Sequence, residues 1–195
     1  MVAIMSGLAN PKPVELDQLV TLKKVFDRKF ITDWSVAIDG GANKGLWTVL
    51  MAERFGLVHA FEPFPENFQH LTARTAKYPN VVRHEVALMN GVKRVHLEPH
   101  PKRNRSTSVR AYVDEEGEGV SIPIDALRLK TCGLIKLDLE GGEIEALAGA
   151  HNTIRRCRPV LIVEENQPIP GLQFGKDCVY EVVMKRGLDI VLVAV

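Results

Sequence analysis

At 195 residues, with 46% apolar and 25% charged side chains, the chain has the length and balance of one globular unit with a sizeable core. Its 25 Lys and Arg stand against 24 Asp and Glu, so overall charge supplies no argument for a nucleic-acid or membrane partner. No apolar run approaches a membrane span, Met1–Asn10 lacks the basic start of a secretory signal, and Cys132, Cys157 and Cys178 are too scattered for a disulfide framework or zinc set, which together point to a reduced, cytoplasmic protein.

Taken in order, Leu16, Leu19, Val20, Phe26 and Phe30 recur at helical spacing and predict a helix over 15–29, an extension (1–33) ahead of the main body. Val36 to Ile38 reads as a buried strand, Leu46 to Phe55 as a helix, and Val58 to Phe61 as a second strand. Phe64, Phe68 and Leu71 mark the next helix, with Pro65 suited to its first turn. Val81 to Leu88 reads as a third strand. Asn90-Gly91 then suggests a hairpin turn, with Val92 to Leu97 as the returning strand.

A basic stretch (Lys102, Arg103, Arg105, Arg110) and an acidic one (Asp114, Glu115, Glu116, Glu118) follow, then a short strand from Val120 to Ile124 and a brief helix from Asp125. Leu134 to Leu137 is a strand, Ile144, Leu147 and Ala148 form a helix stripe, and Val160 to Val163 is a strand. A helix near 177–186 stopping at Gly187 and a strand from Ile190 to Val195 close the chain. Alternating strands and helices predict an α/β fold with a mostly parallel twisted sheet, helices on both faces and an added N-terminal helix, all within a single domain spanning 1–195.

Four apolar strands end in an acid: Asp39, Glu62, Asp138 and Glu164. In such sheets ligands sit beyond the carboxyl ends of the strands, so these acids should line one rim. The first strand runs into Asp39-Gly40-Gly41-Ala42-Asn43-Lys44-Gly45, whose glycines allow close backbone approach and whose following helix start would offer amides to an anionic group. Glu62, 23 residues after Asp39, suits the hydroxyls of a ribose.

The glycines do not fit the dinucleotide pattern, because Ala42 or Asn43 falls where it needs a glycine, and no phosphate-loop Gly-Lys-Ser/Thr follows. An acid before the loop repels a pyrophosphate but suits an ammonium. S-adenosylmethionine, with an amine, a carboxylate and a ribose, meets these conditions better than NAD. In Ile135-Lys136-Leu137-Asp138-Leu139-Glu140-Gly141, strand alternation puts Lys136 and Asp138 on one side, with Glu140 continuing that face if the chain stays extended. Lys136 reads as a structural ion-pair partner. Asp138, Glu140 and Glu164 are candidate bases for deprotonating a hydroxyl acceptor, Asp138 first among them. His96 and His100 are further candidates, and no residue cluster has convincing metal-ligand spacing, so no metal is expected.

These motifs, with Ala60-Phe61-Glu62-Pro63 and Arg158-Pro159 leading to Glu164, resemble those of the FkbM family of S-adenosylmethionine-dependent methyltransferases, in order and spacing over about residues 34–165. The resemblance implies a Rossmann-like methyltransferase fold. It implies that Asp39, Gly40, Gly41, Ala42, Asn43 and Gly45 hold the methionine part of the cofactor, that Glu62 and Pro63 lie at the ribose, that Val86 and Ala87 lie on the adenine side, and that Asp138 borders the cofactor. It further implies O-methylation of a hydroxyl on a sugar or small molecule, with the less regular 89–124 region helping to hold the acceptor. Two alternatives remain: an RNA ribose methyltransferase, suggested by the basic stretch, and a non-catalytic module that only binds S-adenosylmethionine.

Overall fold

Strand β1 (Val36–Gly40) is buried along its whole length, and its side chains alternate between two separate cores: Ile38 packs on one face and Ala37 on the other. The same division runs through β8 (Leu134–Leu137) and β9 (Val160–Glu164), where Ile135, Leu161 and Val163 face one core and Leu134, Val160 and Ile162 the other. Such near-continuous apolar runs are what a parallel strand covered on both faces requires. The computed structural model describes residues 13–99, 109–166, 169 and 172–195.

The covering helices follow from the pattern. On one face lie α1 (Pro13–Asp27), α2 (Leu46–Ala52) and α3 (Pro65–Thr75), contributing Leu22, Val25, Trp47, Met51 and Leu71 to one core. On the other lie α4 (Glu143–Ala148) and α5 (His151–Cys157), contributing Ala146, Leu147 and Ile154. With β2 (Leu57–Phe61), β3 (Val81–His84), β10 (Tyr180–Arg186) and β11 (Asp189–Ala194), the main sheet has seven strands in the order β10-β11-β9-β8-β1-β2-β3. Every pairing from β9 to β3 is parallel, whereas β11 runs antiparallel to both of its neighbours.

A second sheet holds β4 (Ala87–Leu88), β5 (Lys93–Pro99), β6 (Val109–Val113) and β7 (Gly119–Ile122), in the order β4-β7-β5-β6. It occupies the less regular region of the sequence and has its own small core around Ala87, Met89, Val95 and Leu97. After β7 a 3-10 turn, Ile124–Leu127, leads back towards β8. No helix among the described residues is long and apolar enough to cross a membrane.

Three expectations are corrected. The helix near 177–186 is strand β10. Val182, Val183 and Met184 prefer a pleated surface, and Gly187, at φ 57, starts the tight turn into β11 instead of stopping a helix. The strand from Val81 to Leu88 is two: β3 ends at His84, and Ala87–Leu88 leaves the main sheet to pair with β7. The hairpin around Asn90-Gly91 does not form, because β5 pairs with β6 and β7 and not with the strand before it. Gly91 instead gives its carbonyl to the Ser121 hydroxyl at 2.9 Å. The basic residues Lys102, Arg103 and Arg105, and His100, lie outside the described residues.

Candidate active site

The carboxyl ends of β1, β2, β8 and β9 meet at one rim, and the loop after β1 crosses it. Gly41, at φ 71, passes so close to β8 that a Cβ there would stand 1.9 Å from the Asp138 carbonyl oxygen. That combination of angle and contact admits only glycine. The loop is fixed by its own amides. Those of Gly41 and Ala42 donate to the Phe61 carbonyl, at 3.0 and 2.9 Å, and that of Gly45 to Ala42 at 2.8 Å. Asn43 donates its amide to Glu62 Oε2 at 2.8 Å, and its own side-chain oxygen accepts the Lys44 amide at 2.8 Å. Each amide from Gly41 to Gly45 is therefore engaged inside the protein. The loop itself therefore presents a shape and not donors, and the first-turn amides of α2, Leu46 to Thr48, lie beyond it.

Glu62 is 4% exposed at the end of β2. Its carboxylate accepts the Asn43 amide on one oxygen and the Phe64 amide, at 3.0 Å, on the other. Burial nevertheless pushes its pKa up to about 7, against the opposing pull of those amides, the Asn67 side chain and Lys136. A carboxyl held short of full ionisation in this way is stabilised by any further donors that reach it, and two ribose hydroxyls are such donors.

Asp39 has no solvent exposure. The Thr48 hydroxyl donates to its Oδ2 at 2.6 Å and the Lys136 ammonium lies 3.4 Å from Oδ1. The residue expected to meet the ammonium of a ligand thus meets that of Lys136. Lys136 ties the rim together, donating to the Gly41 and Gly40 carbonyls at 3.0 and 3.3 Å and reaching Asp138 at 3.6 Å. Burial draws this ammonium towards neutrality, but Asp39, Asp138 and Asp189 outweigh it and hold its pKa above the ordinary value.

The three candidate bases converge. Asp138, Glu140 and Glu164 each bring a carboxylate oxygen within 4.8 Å of the others. The chain does not stay extended through this segment: Glu140, at φ 56, and Gly141, at φ 112, turn left-handed and bring the Glu140 carboxylate back over the rim. Glu143, 1% exposed, clamps that turn by accepting the Leu139 and Gly141 amides at 2.8 and 3.2 Å. Asn166 bridges Glu143 and Glu164, at 3.2 and 2.7 Å. An all-oxygen set of this kind can accept hydroxyl hydrogens and equally offers ligands to a hard cation.

Between the Gly41 loop and the small sheet runs a narrow groove. Phe61, Pro63, Val86 and Ala87 line one side, Val109 and Ala111 of β6 another, and Gly41 and Asp138 the floor. Of the cofactor residues expected from the sequence, Gly41, Pro63, Val86, Ala87 and Asp138 line the groove; Gly40, Ala42, Asn43, Gly45 and Glu62 are outside its lining, with Asn43 bonded to Glu62, and Asp39 is internal. No histidine among the described residues lines the groove; His96 pairs with Glu118 at 3.1 Å and its ring sits tilted against Tyr112.

Sequence reasoning passed over Asp189, Glu143 and Asn166. Asp189 begins β11, opposite Glu164, and burial followed by the nearby Asp138 raises its pKa to about 6. Because β11 is antiparallel, its first residue arrives at the rim where the parallel strands end; the direction of that strand was the missing signal.

The strand order, the lone antiparallel strand and the loop beneath a rim of acids define a Rossmann-like methyltransferase fold. Residues 39–182 match the family described as methyltransferase FkbM domain, and the chain belongs to it. Membership of this methyltransferase family implies S-adenosylmethionine as the cofactor. Among solved structures, the chain resembles a methyltransferase FkbM from Methylobacillus flagellatus (TM-score 0.54, 18% identity, 83% of this chain and 43% of that one), so it spans under half that protein's length. It also resembles a putative methyltransferase from Escherichia coli (0.52, 11%, 96% of this chain and 87% of that one) and an rRNA methylase from Streptococcus thermophilus (0.51, 10%, 96% and 98%). At these identities the likeness is one of fold. No curated protein sequence gives a significant match.

Proposed function

We propose that the groove holds S-adenosylmethionine and that the chain O-methylates a hydroxyl of a sugar or other small molecule. The observation that carries this reading is the convergence of Asp138, Glu140 and Glu164 beside a groove floored by Gly41 and Asp138. When bound, S-adenosylmethionine supplies a methyl carbon already activated by its sulfonium.

The chain's own residues do the rest. Glu62 receives the ribose hydroxyls. Val86 and Ala87 give the adenine an apolar wall, and Gly41 lets the backbone approach closely. Positioning accounts for much of the rate of an in-line transfer, because aligned reactants avoid an entropic cost. An alcohol must also lose its proton, and one carboxylate of the cluster takes it from the hydroxyl oxygen. Asp138 is placed first for this, since Lys136 orients it and it alone of the three lines the groove. The small sheet, with Val109 and Ala111 at the groove wall, helps to enclose the acceptor.

The acidic rim favours a neutral polyhydroxylated acceptor over RNA, whose phosphates the carboxylates would repel. The three free thiols suit a reducing compartment such as the cytoplasm.

The test is Asp138→Asn, Glu140→Gln and Glu164→Gln, each assayed for S-adenosylmethionine affinity by calorimetry and for single-turnover methylation across a panel of sugars. At least one variant should bind cofactor normally and lose a hundredfold or more in turnover. Cofactor binding with full turnover in all three overturns the base assignment. Binding with no turnover of any hydroxylated acceptor by the parent protein marks a non-catalytic binding module.

A further inference from the structure

At the end of the sheet opposite the groove, a cavity of about 280 Å³ opens between the 3-10 turn, the segment leading into β8, and α5. Its lining includes Arg128, Lys130, Arg156, Asn152 and one acid, Asp125. The acid is already engaged: Asp125 accepts the Asn152 and Thr153 amides at 2.9 and 2.8 Å and the Thr153 hydroxyl at 2.7 Å. The cations are not matched in the same way. Arg156 donates Nε to the Leu129 carbonyl at 3.0 Å, with Nη2 on the same oxygen, so a neutral group holds its guanidinium in place along the wall. Arg128, at φ 50, and Lys130 are both exposed at the mouth. Among the described residues no carboxylate forms an ion pair with Arg128, Lys130 or Arg156.

We propose that this cavity is a second ligand site, which takes a phosphate group either free or as a small monoester. Guanidinium groups present paired N–H donors that match a tetrahedral oxyanion, and an ammonium adds a mobile point charge. Three such cations around one capped carboxylate suit a dianion. The volume, about 280 Å³, has room for a phosphate with a short carbon chain beside Asn152. The site is separate from the methyl-transfer groove. Lys130 precedes β8 and Asp138 follows it, so the length of that strand, roughly 13 Å at a strand's rise per residue, stands between them.

The test titrates the full chain at low ionic strength with inorganic phosphate and, separately, with glycerol phosphate, followed by calorimetry. Saturable binding at one site is expected, insensitive to an equal concentration of chloride. Tighter binding of glycerol phosphate assigns a monoester ligand, and equal or weaker binding assigns phosphate itself. In the variant Arg128→Asn/Lys130→Gln, affinity should fall at least tenfold while S-adenosylmethionine binding is unchanged. Both side chains are exposed and make no hydrogen bond among the described residues, and Asn tolerates the left-handed backbone at 128. Absence of saturable binding by either probe, equal competition by chloride, or undiminished affinity in the variant overturns the proposal. The S-adenosylmethionine titration reports on the groove separately, so failure here is distinguishable from failure there.

Discussion

Glu62 is the residue on which the cofactor reading turns, because its environment sets its proton affinity against its task. Burial raises its pKa to about 7, so near neutrality the carboxyl is divided between two forms. Ribose hydroxyls donate more strongly to the ionised form, which accepts on both oxygens. Cofactor binding should therefore release protons from the protein below about pH 7, and affinity should strengthen from pH 6 to pH 8. Calorimetry in buffers of different ionisation enthalpy measures the release directly. Glu62→Gln should abolish it and weaken binding at least tenfold; unchanged proton release in that variant would remove Glu62 from the site. Gly41 makes a second test at the same scale. An added methyl group there meets the Asp138 carbonyl oxygen at 1.9 Å and a φ of 71. Gly41→Ala should destabilise the fold by about 2–6 kcal/mol, the range for overpacking combined with backbone strain. It should also depress cofactor affinity, readable as a lower Tm and a weaker calorimetric Kd.

At the scale of elements, β1 and β8 are joined by more than their ladder. Lys136 projects from β8 into Asp39 and the two loop carbonyls, so a single ammonium locks the glycine loop onto its neighbouring strand. Lys136→Met leaves the fully buried Asp39 with Thr48 alone, and removing one member of such a buried pair costs about 3–5 kcal/mol. Adding Asp39→Asn should recover much of that loss of stability in denaturant unfolding without restoring cofactor affinity, since the loop would remain unanchored. Stability unaffected by Lys136→Met would refute the anchoring role.

The central parallel strands and helices α1 to α4 were legible in the sequence because each carries its own period, whereas the short α5, His151–Cys157, was not read from it. The rim acids were legible because each ends an apolar strand. What stayed hidden was non-local. Val81 to Leu88 reads as one strand interrupted by Arg83-His84-Glu85, yet its end pairs with a strand more than thirty residues later, Ala87 facing Ser121. Tyr180 to Arg186 carries charges at Glu181 and Lys185 that mimic a helix face, and only pairing with β11 reveals a strand. The same misreading hid Asp189 from the candidate site. The left-handed turn at Glu140 escaped because no local rule requires it; Glu143 and Asn166, from other elements, hold it.

Across the whole molecule, two sets of buried or half-buried groups that titrate below neutral pH in one state or the other oppose each other. Glu62 and Asp189 have pKa values raised by burial to about 7 and about 6, so the folded chain keeps protons that the unfolded chain has lost, and stability falls as pH rises through that window. His84 and His59 behave in the opposite sense. They sit 2.9 Å apart, burial lowers both, and His84 falls to about 4, with the facing His59 as its second cause. The unfolded chain then binds protons that the folded chain refuses, so stability falls as pH drops below about 6.5. Between roughly pH 5 and 6 the two sets act in opposite directions, so the Tm of the unliganded protein should change less there than either set alone would make it. Single substitutions unmask each arm. In Glu62→Gln the histidine arm dominates, and Tm should climb from pH 5 to pH 6.5. In His84→Phe, whose ring keeps the stacking on Phe61 seen at 4.3 Å, the carboxyl arm dominates and Tm should decline over the same interval. Slopes of the same sign in the two variants would mean that the buried carboxyls and the histidine pair do not govern the pH response of this fold.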